Sequence, residues 1–194
     1  RNNRRNLTAK MKACFMGLGY IGLPTAIIAA KKGGIDVIGV DINPKVVDMT
    51  NHGKLHIVEP GIGDMLSEVI ESGKLRASTA PEVSDAYFIV VPTPFKGDHV
   101  PDISYVESAT RSVIPLLKEG DLFVIESTSP VGTTELMSEL IFRLRPELEG
   151  KIQIAYCPER VLPGNVIYEL VHNDRVIGGI DEASTDKAID FYSR

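Results

Sequence analysis

Cysteine is scarce in this chain, with two in 194 residues, Cys14 and Cys157. They stand far apart and form no CxxC pair, which argues against a disulfide framework and fits a reducing cytosol. An excess of positive charge is lacking too: 21 Lys and Arg face 26 Asp and Glu, a net charge of −5. No basic stripe with interleaved aromatics appears, so a nucleic-acid partner is set aside. No apolar run is long enough to span a bilayer, and no signal-peptide core precedes the first apolar segment. A soluble, cytoplasmic protein with no membrane partner is the expectation. What is present, a composition 43% hydrophobic, suffices for one sizeable core and reads as a single domain. Residues 1–11 are polar and basic without periodicity, and are read as a disordered arm or a cloning remnant ahead of a start at Met11. The domain is expected over 12–194.

The strongest local signal lies between Lys12 and Asp41. The apolar run Ala13-Cys14-Phe15-Met16 leads into Gly17-Leu18-Gly19-Tyr20-Ile21-Gly22, then a small-residue helix, then Val37-Ile38-Gly39-Val40-Asp41. Each part has a physical job if the ligand is a dinucleotide. Gly17 permits the sharp turn out of a strand, Gly19 lets backbone N–H groups approach a pyrophosphate, and Gly22 lets the helix lie close to the sheet. The helix N-terminus supplies unused donors and the positive end of its dipole. Asp41 stands where a carboxylate would accept from an adenosine ribose. It is followed by Ile42-Asn43-Pro44 with no immediate Arg or Lys, which favours NAD over NADP, with Lys45 one step further on.

The remaining chain alternates strands and helices, the pattern of a doubly wound α/β (Rossmann) fold with a mostly parallel sheet. Helices are expected over 44–49 (Asn43 as N-cap), 64–72, 104–117 (capped by Ser104), 132–144 and 182–194, with a helical turn over 166–171. Strands are expected over 75–78, 86–91, 122–126, 152–156 and 175–178. Two polar segments raise a metal question. His52, His56 and Glu59 have helical ligand spacing, but Gly53 and Pro60 break that helix, and a surface loop is the better assignment. The stretch 96–102, with His99 between Asp98 and Asp102, is likewise read as an exposed loop. No metal site is assigned.

Ligands of such sheets bind beyond the carboxyl ends of the strands, near the switch in strand order. There the sequence places Thr93, Thr128, and Glu159 with Arg160, besides the glycine turn and Asp41. One threonine alone reads as a turn cap; two at neighbouring strand ends point to cofactor contact. Glu159 and Arg160 could pair with each other on the surface, but the proline-bracketed loop after a buried strand suggests groups fixed toward a ligand, with arginine suited to a carboxylate or phosphate. Cys157 is a tempting nucleophile. A small buried thiol is the commoner case at a strand end, and nothing near it in sequence would lower its pKa.

Six motifs in order, GLGYIGLP, VIGVDINP, VVPTPFKGD, ESTSPVGTT, YCPERVLPG and NDRVIGG, with His56-Ile57-Val58-Glu59-Pro60-Gly61 between the second and third, resemble the amino-terminal domain of the UDP-glucose/GDP-mannose dehydrogenase family, the nucleotide-sugar 6-dehydrogenases. The loop after the last central strand is most similar to the UDP-N-acetyl-D-mannosamine branch. UDP-glucose members typically carry a phenylalanine and a second glutamate where this chain has Arg160 and Pro163. The resemblance implies NAD contacts at Tyr20, Ile21, Asp41, Thr93 and Thr128, with Thr128 also in the catalytic set. It implies UDP-sugar contacts at Arg160 and Val161, and at Glu159 a carboxylate near the water that cleaves a covalent intermediate. With Pro163 in place of the second glutamate, only Glu159 carries over to that role. The implied reaction oxidises the sugar C6 alcohol to a carboxylate in two NAD-dependent steps through a cysteine thioester. The family's nucleophilic cysteine and substrate domain have no match here. An isolated cofactor domain of a homo-oligomeric parent, inactive alone, is therefore expected. A free-standing NAD-binding module and a 3-hydroxyacid-type dehydrogenase stay open beside it.

Overall fold

The computed structural model describes residues 10–32 and 34–194. Residues 1–9 of the expected arm lie outside these. Its last two residues do not behave as an arm: Lys10 is ion-paired with Asp36, and Met11 packs on the core while its carbonyl accepts from the Asp36 N–H at 2.9 Å. Lys10 and Met11 thus belong with the folded domain.

In chain order the strands are β1 (Lys12–Met16), β2 (Asp36–Val40), β3 (Leu75–Ser78), β4 (Ala86–Ile89), a small hairpin of β5 (Phe95–Lys96) and β6 (Val100–Pro101), then β7 (Leu122–Ile125), β8 (Gln153–Tyr156) and β9 (Gly178–Gly179). The helices are α1 (Gly22–Lys32), α2 (Pro44–Asn51), α3 (Ile62–Glu71), α4 (Ser104–Val113), α5 (Thr133–Leu144), α6 (Val166–His172) and α7 (Glu182–Tyr192). Seven strands form one sheet in the order β3-β2-β1-β4-β7-β8-β9, parallel throughout except for β9, which runs antiparallel to β8. Strand order reverses between β1 and β4, which opens a crevice at their carboxyl ends.

Residues alternate between two cores. Ala13 and Phe15 of β1, with Ala86 and Phe88 of β4, face the layer containing α1, α3 and α7; Cys14, Met16, Tyr87 and Ile89 face α4 and α5. Both faces being covered, β4 and β7 are apolar at every position, AYFI and LFVI. Phe15 stacks on Phe88 at 4.6 Å and Phe88 meets Phe191 of α7 at 4.4 Å. Each buried ring contributes about 1.5–3 kcal/mol, so this column is a main attachment of α7 to the sheet.

The structure departs from expectation at several boundaries, each for a local reason. Helix α4 ends at Val113 and continues only as a 3-10 turn, Ile114–Leu116, because Pro115 has no N–H to give. Its start is capped by Asp102, whose carboxylate accepts from the Ser104 N–H at 2.9 Å, and not by the Ser104 side chain. The expected loop 96–102 is the β5–β6 hairpin, closed by a 2.8 Å ion pair between Lys96 and Asp102. Lys96, then Ser104, holds the Asp102 carboxyl down at about 2. The last strand is shorter and later than 175–178, since Arg175 leaves the ladder to join the cluster described below.

Candidate cofactor site

The glycine turn is built by close backbone approach. Gly17 has φ +107°, a conformation that side-chain-bearing residues rarely adopt, and a Cβ there would sit 2.5 Å from the Val90 carbonyl oxygen. A Cβ on Gly22 would lie 1.9 Å from the Gly17 oxygen, so helix α1 can start here only without a side chain. At Gly19 a Cβ would meet no protein atom within 4 Å. The protein itself does not require glycine at 19; the space in front of it belongs to the cleft. Gly39 was not singled out by sequence, yet a Cβ on it would press within 2.7 Å of the Leu18 side chain that anchors the turn.

Asp41 is fixed before any ligand arrives. Its Oδ2 accepts from the Leu18 N–H at 3.1 Å and its Oδ1 from the Asn43 N–H at 2.9 Å, tying the end of β2 to the turn and to the cap of α2. Each carboxylate oxygen keeps a further lone pair for a hydroxyl donor. Lys45 is exposed on the first turn of α2.

Two recesses of about 390 and 310 Å³ meet at Gly17, Asp41, Val91 and Pro92, each of small-ligand size. One runs past Gly19, Tyr20 and Ile21 to Thr93, Thr128 and Glu159; the other passes Ile42, Pro81, Tyr105 and Ala109. Together they cross the β1/β4 switch, as a groove for a two-ended ligand must. The first turn of α1 contains no acidic residue and its last turn carries Lys31 and Lys32, a charge distribution that leaves the N-terminal dipole free for an anion. The residues present therefore fit a dinucleotide.

At the far end, Thr93 Oγ1 donates to the Thr128 carbonyl at 2.6 Å, bridging the segments that follow β4 and β7. Ser127 makes a parallel tie, donating to the Val91 carbonyl at 2.7 Å. Neither side chain caps the turn that follows it. The two threonines are brought together, with Tyr20, Ile21 and Asp41, along one cleft.

Residues 11–194 match the NAD binding domain of the UDP-glucose/GDP-mannose dehydrogenase family. The chain belongs to this family. The UDP-N-acetyl-D-mannosamine dehydrogenase of Escherichia coli K12 is 53% identical over 185 residues, covering 91% of this chain and 44% of that protein. An NDP-N-acetyl-D-galactosaminuronic acid dehydrogenase of Ralstonia nicotianae is 50% identical, again over 91% and 44%. The solved UDP-D-ManNAc dehydrogenase of Pyrococcus horikoshii superposes with a TM-score of 0.91 at 44% identity, covering 94% of this chain and 44% of that one. The chain thus spans less than half the length of the relatives it matches.

In this family domain the loop after β8 is anchored from behind. Glu59, assigned by sequence to a surface loop, is buried, and its two oxygens accept from the Gly164 and Val166 N–H groups, both at 2.8 Å. His56 is half-buried with Nε2 donating to the Leu18 carbonyl at 2.6 Å, while His52 is exposed against Asp48. The three side chains go to three separate places. Segment 56–61 is a strap joining the glycine turn to the 159–166 loop, a role invisible in a spacing that suggested only ligands.

Glu159 and Arg160 do not pair side chain to side chain. Glu159 Oε1 accepts from the Arg160 backbone N–H at 2.8 Å, and Oε2 accepts from Arg175 at 2.9 Å in a largely buried ion pair. The Arg160 guanidinium is exposed, donating one bond to the Asp174 carbonyl at 2.9 Å; Val161 beside it is half-buried. Cys157 is fully buried, and burial, then the Glu126 charge, pushes its thiol up. Arg175, 3.9 Å from the sulfur, opposes this and does not prevail. The inert assignment stands, for a reason the sequence did not contain. Glu126, Arg175 and Tyr192 were missed altogether, although ESTSPVGTT and NDRVIGG contain the first two: a charged residue within an apolar strand end was the available signal.

Proposed function

We propose that the whole protein is a UDP-N-acetyl-D-mannosamine 6-dehydrogenase and that this chain is its cofactor half. The observation that carries it is the 53% identity over 185 residues to an enzyme of that name. NAD, when bound, accepts the hydride removed from the sugar C6 carbon. The turn from Gly17 to Gly22, with Tyr20 and Ile21 at the cleft's lip, holds the pyrophosphate; Asp41 accepts from the adenosine ribose; Thr93 and Thr128 line the reacting end. Arg160 and Val161 face the nucleotide-sugar, Arg160 with guanidinium donors left over for an anionic group. Glu159, immobilised by Arg175 and by its neighbour's N–H, is placed to orient the hydrolytic water.

The chemistry then needs a nucleophile and a sugar pocket from the carboxyl-terminal domain of the same enzyme. The chain alone binds NAD and turns nothing over, and the parent works as a cytoplasmic homo-oligomer making precursors for polysaccharides. The test is an NADH-production assay of the full-length protein with UDP-N-acetylmannosamine, UDP-N-acetylgalactosamine and UDP-glucose, alongside this chain. Turnover of the mannosamine substrate by the long protein and none by the chain is expected. Preference for another UDP-sugar would move the assignment within the family; turnover of a 3-hydroxyacid alone would overturn it.

A further inference from the structure

At the carboxyl end of β7, one side chain is unexplained by either packing or cofactor contact. Glu126 is 1% exposed yet contributes to the wall of the cleft beside Thr128 and Glu159. Its Oε1 accepts from the Tyr192 hydroxyl, and its Oε2 has no hydrogen-bond partner among the described residues. A carboxyl buried with an unused oxygen is costly, and a glutamine or methionine would serve packing better. Four elements converge around it: β7 brings Glu126, the loop after β8 brings Cys157 and Glu159, the loop before β9 brings Arg175, and α7 brings Tyr192. Arg175 is bonded to Glu159, lies 4.6 Å from the centre of the Tyr192 ring, and stands 3.9 Å from Cys157 Sγ. Tyr192 thus touches both the Glu126 carboxyl and the Arg175 guanidinium, which is itself bonded to Glu159.

The charge count decides the behaviour. With Glu126 neutral, Arg175 and Glu159 balance; with Glu126 ionised, a second negative charge enters a site of low dielectric holding one cation. Burial favours the neutral form and pushes the Glu126 carboxyl up to about 7, opposed by Arg175 and Tyr192 and assisted by Glu159.

We propose that Glu126 is a positioning residue for Glu159: protonated, it leaves Arg175 to Glu159 alone and holds that carboxylate firmly in the cleft, and ionised, it competes for Arg175 and loosens it. The catalytic meaning rests on Glu159 acting at the substrate, as proposed above; the switch itself does not. It is read without turnover, by carbon-detected NMR of the chain carrying carboxyl-labelled glutamate. The Glu126 resonance should titrate near pH 7, and the Glu159 resonance should show a step with the same midpoint. Glu126→Gln should remove that step. Should that variant fail to fold, Tyr192→Phe, which deletes the hydroxyl that favours the ionised form, should move both midpoints to higher pH together. Titration of Glu126 in the ordinary carboxylate range, or a Glu159 step that survives Glu126→Gln or stays in place in Tyr192→Phe, would overturn the proposal. In the full-length enzyme, Glu126→Gln should erase an inflection near pH 7 in kcat and leave KM for NAD within about twofold. An unchanged kcat profile together with a lost NMR step would keep the switch and remove Glu159 from the chemistry.

Discussion

Arg175→Met should destabilise the chain by about 3–5 kcal/mol at pH 8, and by clearly less at pH 5, in denaturant unfolding. The arginine side chain is 19% exposed and its partner Glu159 10%, so the pair lies where removal of the cation strands a carboxylate with little water to solvate it. Methionine retains much of the packing over Tyr192, which isolates the charge. The pH dependence follows from Glu126. Its folded-state value is raised, so the stability it contributes is full below the ordinary carboxylate range and is lost as pH rises through about 7. Arg175 is the first influence opposing that rise. Without it the neutral form of Glu126 persists to higher pH, so near pH 8 the folded variant must hold a proton that the wild type releases, an added cost absent at pH 5, where Glu126 is protonated in both. At pH 5 only Glu159 is stranded. Equal losses at both pH values would mean that Glu126 and Arg175 are not coupled.

Gly22→Ala sets two effects against each other. Alanine in a helix is better than glycine by about 1 kcal/mol, and propensity alone would forecast a gain. The added Cβ, however, would lie 1.9 Å from the Gly17 oxygen and 3.5 Å from the Val90 side chain, and the first obstacle is backbone. Relief requires moving α1 off the turn, a cost at or above the usual 1–3 kcal/mol of overpacking, so a net loss of about 2–3 kcal/mol or failure to fold is expected. Gly19→Ala is the counterpart: no protein atom lies within 4 Å of its Cβ, and thermal unfolding should be nearly unchanged while cofactor binding falls. Similar unfolding temperatures for the two variants would contradict the turn geometry.

The fold was largely legible because a doubly wound sheet writes its buried strands as short apolar runs and its helices with caps. Ala86–Ile89, Leu122–Ile125 and the glycine turn needed no tertiary knowledge. Boundaries slipped where one side chain decided them, as when Asp102 rather than Ser104 capped α4. The site was half legible. The glycines, Asp41, Thr93 and Thr128 follow strands directly and were placed by topology. Glu59, 105 and 107 residues from the N–H groups it ties, and Glu126, 66 residues from Tyr192, depend on how loops fold back across the sheet. No periodicity or local spacing encodes such meetings.

The central claim is that the cleft between the glycine turn and Asp41 holds NAD, and calorimetric titration of this chain with NADH tests it most directly. Wild type should bind NADH, and NADPH more weakly. Asp41→Asn and Gly19→Ala should each lose about tenfold or more in affinity, as expected for loss of a charge-assisted hydrogen bond or of close backbone approach; Gly19→Ala should leave the unfolding temperature nearly unchanged, whereas Asp41→Asn, which gives up one of two backbone N–H bonds, should lower it. Equal binding by wild type and both variants, or no binding by wild type at millimolar NADH, would contradict the claim.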